Sequence, residues 1–228
     1  MKDIYVYPNT NVLINKLNIK TPKELDDAEN ALVSLQIAYL LINPLMITSV
    51  FDIKKVHKAL FGDLYEWAGE NRKMNMYKEE PILGGLSVEY VDYRQIDASL
   101  TKLDQEFKSV KWNSLSKKET ISAIVSLISK LWRIHCFREG NTRTTTIFIY
   151  LFMKQLSLKV KVDFIGKHAK FFRNALVLAS IDQYSDYEYL TNILMDSISL
   201  KVQSEGKYKT IREYEVDKYE YREHKYKE

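Results

Sequence analysis

Apolar residues recur at helical spacing over most of this chain. Ile121, Ile124, Val125, Ile128, Leu131 and Trp132 form one stripe, because positions three and four apart share a helix face. His135 continues that stripe at the helix end and is expected to face inward. The chain then turns at Gly140 and begins a second helix over about 142–157, with Asn141 or Thr142 as the N-cap. From Thr144 to Met153 this helix is apolar nearly all round after its first turn, which places it at the centre of the domain. Thr21 and Pro22 supply an N-cap and a first-turn proline for an amphipathic helix from about Lys23 to Leu41. Further helices are predicted over 52–61, 93–109, 116–134, 167–180 and 186–203. Residues 73–91 break this rhythm: Met74, Met76, Ile82, Val88 and Tyr90 alternate irregularly around Gly84 and Gly85, which predicts a short two-stranded hairpin. Residues 4–20, turning at Pro8 to Asn11, read as an extended arm lying on the domain. The fold class is therefore mainly α, a helical bundle with one short β-hairpin.

Length and composition narrow the picture. A chain of 228 residues without an evident linker supports one substantial core. Residues 1–206 are read as one domain, and 207–228, almost wholly Lys, Arg, Glu, Asp and Tyr, as a solvated helical or disordered tail. The 46% hydrophobic and 28% charged content is that of a soluble globular protein, and no run of about 20 apolar residues could span a membrane. Met1 to Pro8 lacks the apolar stretch of a signal peptide, and one cysteine allows no internal disulfide, so a cytoplasmic setting is expected. The net charge of +4 is mild and its cations are scattered among acids, which argues against nucleic acid as a direct substrate.

The chemistry concentrates in nine residues, His135 to Arg143. Gly140 can adopt a positive φ that lets the amides of 140–143 converge on one point. A helix N-terminus adds about half a positive charge there. Arg143 sits in the first helical turn, where a cation is ordinarily disfavoured by about 0.3–1 kcal/mol, and an anionic partner is the simplest compensation. His135 offers a base that titrates near neutrality, and Glu139 a hard oxygen ligand for the Mg²⁺ that accompanies nucleotide phosphates. Glu66 to Arg72 is a polar turn with one large aromatic, Trp67, read as a structural brace beneath this site. His57 reads as a packed helix residue, since no carboxylate, glycine bend or second ligand accompanies it. Ser114 to Lys117 matches S-x-x-K but sits in a charged loop without its partner motifs, and no P-loop, Rossmann or zincin pattern occurs.

His135, Phe137, Glu139, Gly140, Asn141 and Arg143 match the signature H-x-F-x-[DE]-G-N-x-R position by position. The chain thus resembles the Fic (Fic/Doc) family. Val56 to Arg72 is similar to the segment preceding the active site in that family, and Pro81 to Tyr90 resembles its flap. The resemblance covers roughly residues 5–205 and implies a protein adenylyltransferase that moves AMP from ATP to a hydroxyl of a target protein. It assigns His135 as general base, Glu139 as the Mg²⁺ ligand, and Arg138, Gly140, Asn141, Thr142 and Arg143 to the nucleotide. Phe137 would anchor the loop. Ile82, Leu83, Gly84 and Gly85 would form a flap that docks the target backbone by strand addition.

Departures from the family pattern leave alternatives open. Cys136 replaces the usual proline, and Thr142 a commoner glycine, a position where Doc-type kinases carry lysine. Members with a C-terminal inhibitory helix carry [ST]-x-x-x-E-[GN], whose glutamate pairs with a second arginine. Glu205 and Gly206 fit the last two positions, whereas Lys201 and Thr146 depart from the others, and Thr146 also removes a γ-phosphate contact. The rival readings are a degenerate nucleotide- or partner-binding module and a Doc-type kinase. By resemblance to bacterial relatives, the first candidate targets are DNA gyrase and topoisomerase IV subunits. Self-modification is also open, on tyrosines of the tail or on Tyr184, Tyr187 and Tyr189, as are homo-oligomerisation and a separate antitoxin.

Overall fold

The computed structural model describes residues 3–181 and 185–199. Among them eight α-helices follow one another: α1 (Pro22–Ile42), α2 (Asp52–Phe61), α3 (Ile96–Ser109), α4 (Lys117–Ile134), α5 (Asn141–Gln155), α6 (Val162–Lys167), α7 (Ala169–Ala179) and α8 (Glu188–Ser197). The helix α4 starts sharply because Ser116 and Glu119 form a capping box. Ser116 Oγ accepts the Glu119 N–H at 3.4 Å, and the Glu119 carboxylate accepts the Ser116 N–H at 2.8 Å. Its stripe of Ile121, Ile124, Val125, Ile128, Leu131 and Trp132 is at most 2% exposed. This helix packs against α3, α5, α7 and α8, while α2 packs on α5 and α1 closes over α2. Along α5, Thr144, Phe148, Ile149 and Met153 are all fully buried, so α5 lies beside α4 at the centre of the bundle. A short helix α6, which periodicity did not indicate, precedes α7. Glu205, Gly206 and the tail of 207–228 lie outside the described residues.

The arm before α1 lies on the domain. Tyr5, Val12 and Leu13 are buried, Val6 and Leu13 form an antiparallel bridge, and Tyr5 Oη accepts the Lys73 N–H at 2.9 Å.

The expected hairpin does not form. Residues 73–91 contain no strand; Pro81–Leu83 is a 3₁₀ turn closed by Glu80 N–H to Leu86 O at 3.0 Å and Gly85 N–H to Glu80 O at 3.1 Å. The reason lies in which side chains are taken inside. Ile82 and Leu83 are consecutive and both buried, which alternation across a strand forbids. Glu80, fully buried, is held by the Arg173 guanidinium of α7, with Nη2 at 2.9 Å from its Oε1, and accepts the Tyr90 hydroxyl at 3.4 Å. Of the four residues expected to dock a target, Ile82 and Leu83 thus face the core, while Gly84 stays exposed and Gly85 half-buried.

The pair Glu80–Arg173 is asymmetric, since the Glu80 side chain is sealed and that of Arg173 is 35% exposed. Arg173→Ala would strand an unpaired buried carboxylate and is expected to destabilise by about 3 kcal/mol, whereas Glu80→Ala leaves a cation that water can reach and should cost about 1 kcal/mol. Urea denaturation of the two variants checks the order; equal losses would contradict this account of the loop.

Candidate active site

The site begins where α4 ends. His135 is the C-cap of α4 in the left-handed region, at φ 52° and ψ 59°, a conformation that a non-glycine residue keeps only when its surroundings hold it. The holder is Arg72, itself 2% exposed. Its Nε donates to His135 O at 2.7 Å, its Nη1 to Met74 O at 2.7 Å, its Nη2 to Val91 O and, at 3.5 Å, Ile134 O, and its backbone N–H to Cys136 O at 2.7 Å. A cation at the carbonyl end of a helix is favoured, and here it satisfies carbonyls that α4 leaves open.

So held, His135 is 2% exposed and has one ring nitrogen to spare. Nδ1 lies 3.2 Å from Trp132 O, an acceptor, so Nδ1 carries the proton and Nε2 presents a lone pair. Nε2 is buried without a hydrogen-bond partner. Burial, and next the charge of Lys78, push the imidazole well below the usual histidine range, so it is neutral at pH 7. Tyr90 stacks on its ring at 3.9 Å, and Trp132 meets it edge-on at 5.3 Å.

The loop beyond His135 is fastened from below. Phe137, 1% exposed, stacks on His57 at 3.8 Å, and Phe61 stacks on the same imidazole at 4.7 Å. His57 Nδ1 accepts the Gly69 N–H at 2.8 Å, so Nε2–H donates to Glu139 O at 3.0 Å. Burial drives this imidazole down to about 4 and keeps it neutral, as its two bonds require. His57 is thus packed, as expected from the sequence, but it also pins the loop, a role whose partners lie 12 and 82 residues away and leave no local trace. Trp67 joins the brace, stacking on Tyr65 at 4.4 Å and reaching His57 at 5.9 Å.

Gly140 turns the chain. At φ 79° it is the N-cap of α5, and a Cβ here would lie 2.4 Å from Phe61 Cζ. Asn141, expected as a cap, is instead the first helical residue: its Oδ1 accepts the Phe137 N–H at 3.0 Å and its Nδ2 donates to Phe137 O at 2.8 Å. Its amide holds the loop closed, and the cap passes to a residue that tolerates positive φ. The amides of Asn141, Thr142 and Arg143 form the first turn of α5, which has no intrahelical acceptors. Thr142 Oγ1 accepts the Trp132 indole N–H at 3.1 Å, and Thr146 Oγ1 donates back to Thr142 O at 2.8 Å. Cys136 is buried, and burial pushes its thiol up to about 12, leaving it an inert filler where the signature usually has proline.

Around this turn every charged group has a protein partner. Burial alone would raise the Glu139 carboxyl, but Lys78 and the Gly140 N–H outweigh it and hold it below the ordinary range. Lys78 Nζ donates to Glu139 Oε2 at 3.3 Å, and the Gly140 N–H to Oε1 at 2.9 Å. Arg143 pairs with Glu29 of α1 and lies over the Phe61 ring, with Cζ 5.0 Å from its centroid. Glu29 also accepts the Tyr65 hydroxyl at 2.5 Å. Arg138 turns to Asp3 in the arm, at 3.0 Å from Nε and 2.6 Å from Nη2. The structure therefore brings His135, Glu139, Gly140, Asn141, Thr142 and Arg143 together, while Arg138 points to the arm. Lys78, Tyr90, Arg72, His57 and Glu29 were not singled out by sequence for this site.

Beside the first turn of α5 is a cavity of about 230 Å³, lined by Thr142, Arg143, Thr146 and Tyr150 with Ile37 of α1 and Phe172 of α7. No group of three or more His, Cys, Asp or Glu side chains among the described residues could cage a metal. One carboxylate beside amides open to phosphate suits Mg²⁺, which binds through one or two carboxylates together with substrate phosphates. No described helix is long and apolar enough to cross a membrane.

Comparison with known proteins gives a consistent picture. A family model described as "Fic/DOC family" matches residues 47–153. The chain is 30% identical over 189 residues to the protein adenylyltransferase VbhT of Bartonella schoenbuchensis, a match covering 80% of this chain but only 36% of VbhT. Among solved structures, the N-terminal FIC domain of the Bep8 protein from Bartonella sp. 1-1C aligns with a TM-score of 0.71 and 25% identity, over 86% of this chain and 94% of that one. The BepC protein of Bartonella tribocorum, solved with bound AMPPNP, aligns with a TM-score of 0.69 and 22% identity, over 87% of this chain and 97% of that one, a likeness of fold.

Gly140→Ala is expected to destabilise the fold by roughly 2–4 kcal/mol, combining positive-φ strain with a clash against Phe61; an unchanged urea midpoint would contradict the tight turn. The pH dependence follows from His57. Its folded value, about 4, lies below the unfolded 6.5, so its contribution is complete above 6.5 and is lost as pH falls from 6.5 towards 4. By pH 5 the loss from this group is about 2 kcal/mol, with His135 acting in the same direction. Denaturation midpoints at pH 7.5, 6 and 5 measure it, and a flat profile would show that neither imidazole is held neutral.

Proposed function

This chain carries a Fic/DOC-family domain over residues 47–153, and on that premise we propose that it is a protein adenylyltransferase. The hydroxyl oxygen of a target side chain attacks the α-phosphorus of ATP, the bond from that phosphorus to the bridging oxygen breaks, and pyrophosphate leaves with the electron pair. The proton passes to His135 Nε2. The observation that carries the reading is this nitrogen: buried, without a hydrogen-bond partner, and one tight turn from the open amides of α5.

Each residue has a role that its setting supports. His135 is neutral at physiological pH and needs no prior deprotonation, a general-base role typically worth about 10²–10⁴ in rate. The amides of Asn141, Thr142 and Arg143, with the helix dipole behind them, face the charge that develops on phosphate oxygens. The Arg143 guanidinium adds to them, oriented by Glu29 and Phe61. The Asn141 side chain acts through the loop it holds. Glu139 is the residue that would hold Mg²⁺, whose chemistry there is to neutralise charge on the phosphates. Arg138 sits with Asp3 and would reach nucleotide only on leaving it. Glu205, with Gly206 filling the last position of the inhibitory pattern, is proposed to restrain the enzyme. Subunits of DNA gyrase or topoisomerase IV, and this chain's own tyrosines, are the first targets to test.

The test is paired labelling of cell lysate with α-³²P-ATP and γ-³²P-ATP, using wild type, His135→Ala and Glu205→Gly. Label from the α position alone, lost by at least about 100-fold in His135→Ala and increased in Glu205→Gly, is the expected outcome. Label from γ alone would replace the reading with a kinase, and nucleotide binding without label from either position would leave a binding module. Transfer by His135→Ala at the wild-type rate would overturn the assigned base.

A further inference from the structure

Each cation around the α5 turn is already engaged, and the nature of its partner separates one from the rest. Arg72 is held by backbone carbonyls, which cannot leave. Arg173 faces a carboxylate sealed inside the domain, and Arg138 and Arg143 face Asp3 and Glu29, side chains that belong to the arm and to α1. Lys78 alone among these faces Glu139, the carboxylate that the proposed reaction assigns to a metal ion.

Two positive ions cannot share that carboxylate without repulsion, and a divalent ion outcompetes an ammonium for it. Lys78 would then be released beside Glu139, on a four-carbon stem with three rotatable donors and a side chain only 28% exposed. It has little water to return to. Its charge reaches far enough into the site to be, after burial, the largest influence on His135. Opposite it, the turn of α5 after Arg143 carries no cation: Thr146 is turned back onto Thr142 O and borders a mainly apolar cavity. A triphosphate brings several negative charges to a turn whose first-turn guanidinium, Arg143, is already shared with Glu29.

We propose that Lys78 is a polyphosphate-binding residue: it occupies Glu139 in the nucleotide-free protein and transfers to the β- and γ-phosphate oxygens when nucleotide and metal enter. The loop of 73–91 thereby serves as a nucleotide-binding segment, although it forms no strand to add to a target. This deepens the adenylyltransferase reading and rests on it. Lys78 is a binding residue here, with no proton or group transfer of its own.

The experiment is equilibrium binding by calorimetry with Mg²⁺, comparing AMP with α,β-methylene-ATP, which cannot release pyrophosphate by cleavage at the α-phosphorus. Lys78→Ala should weaken α,β-methylene-ATP about tenfold and AMP less than about twofold, and Lys78→Arg should recover most of the loss. Equal affinity of wild type and Lys78→Ala for α,β-methylene-ATP would overturn the inference while leaving the adenylyltransferase reading intact. An equal loss for both ligands would also overturn it, by showing that Lys78 only supports the fold. Wild type that binds neither ligand would remove the adenylyltransferase reading itself, and this inference with it.

Discussion

One buried guanidinium sets the geometry on which the candidate site depends. Arg72 has no carboxylate partner in its hydrogen-bond set; its donors go chiefly to main-chain carbonyls of three separated stretches, Met74, Val91 and the Ile134–His135 end of α4. A carbonyl acceptor cannot rotate away as a side chain can, so this arrangement fixes backbone to backbone. It closes the 73–91 loop at both feet, caps α4, and holds His135 in the left-handed conformation in which Nε2 is left without a protein partner. Strain of that kind, about 1–3 kcal/mol, persists only where the surroundings over-determine it.

The rest of the loop obeys the same logic. His57 reads the Gly69 amide with one nitrogen and the Glu139 carbonyl with the other, while its faces carry Phe61 and Phe137. Asn141 spends its whole amide on Phe137, and Phe61 fills the space that a Cβ at residue 140 would need. The side chains to which the proposed reaction gives the chemistry, His135, Glu139 and Arg143, are therefore presented by a backbone that is held independently of them. A site that must keep its shape while its charges change partners is built most safely in this way.

Much of this was legible in the sequence, and what escaped shares one property. The bundle could be read because helical periodicity is local, and the nine-residue run from His135 to Arg143 because base, carboxylate, turn and cation are adjacent along the chain. The hairpin failed because Glu80 finds Arg173 at a separation of 93 residues, and that bond draws Ile82 and Leu83 inward together against any alternation. Asn141 was assigned to a cap because Asn prefers that position, yet a loop four residues upstream made a better claim on its amide. Asp3, Glu29 and His57 are unremarkable in composition and acquire meaning only from partners 135, 114 and 82 residues away.

The charge pairing carries a further consequence for how such a site can work. An anion-binding turn left with bare guanidinium groups and a bare carboxylate would be destabilised by the desolvation of each. Here Arg143, Arg138 and Glu139 are each neutralised by a residue from a different segment, namely α1, the arm and the 73–91 loop. In the proposed reaction, nucleotide binding is therefore an exchange of partners, in which part of the phosphate attraction is offset by the ion pairs it displaces. The offset is smaller where the displaced partner can itself turn to the ligand. Asp3 and Glu29, being carboxylates, would only repel phosphate once freed, whereas Lys78 would be attracted to it. Under the proposed reaction Glu139 is thus the one corner of the site where opening an internal ion pair and binding the ligand would reinforce each other, and metal and phosphate would enter there together.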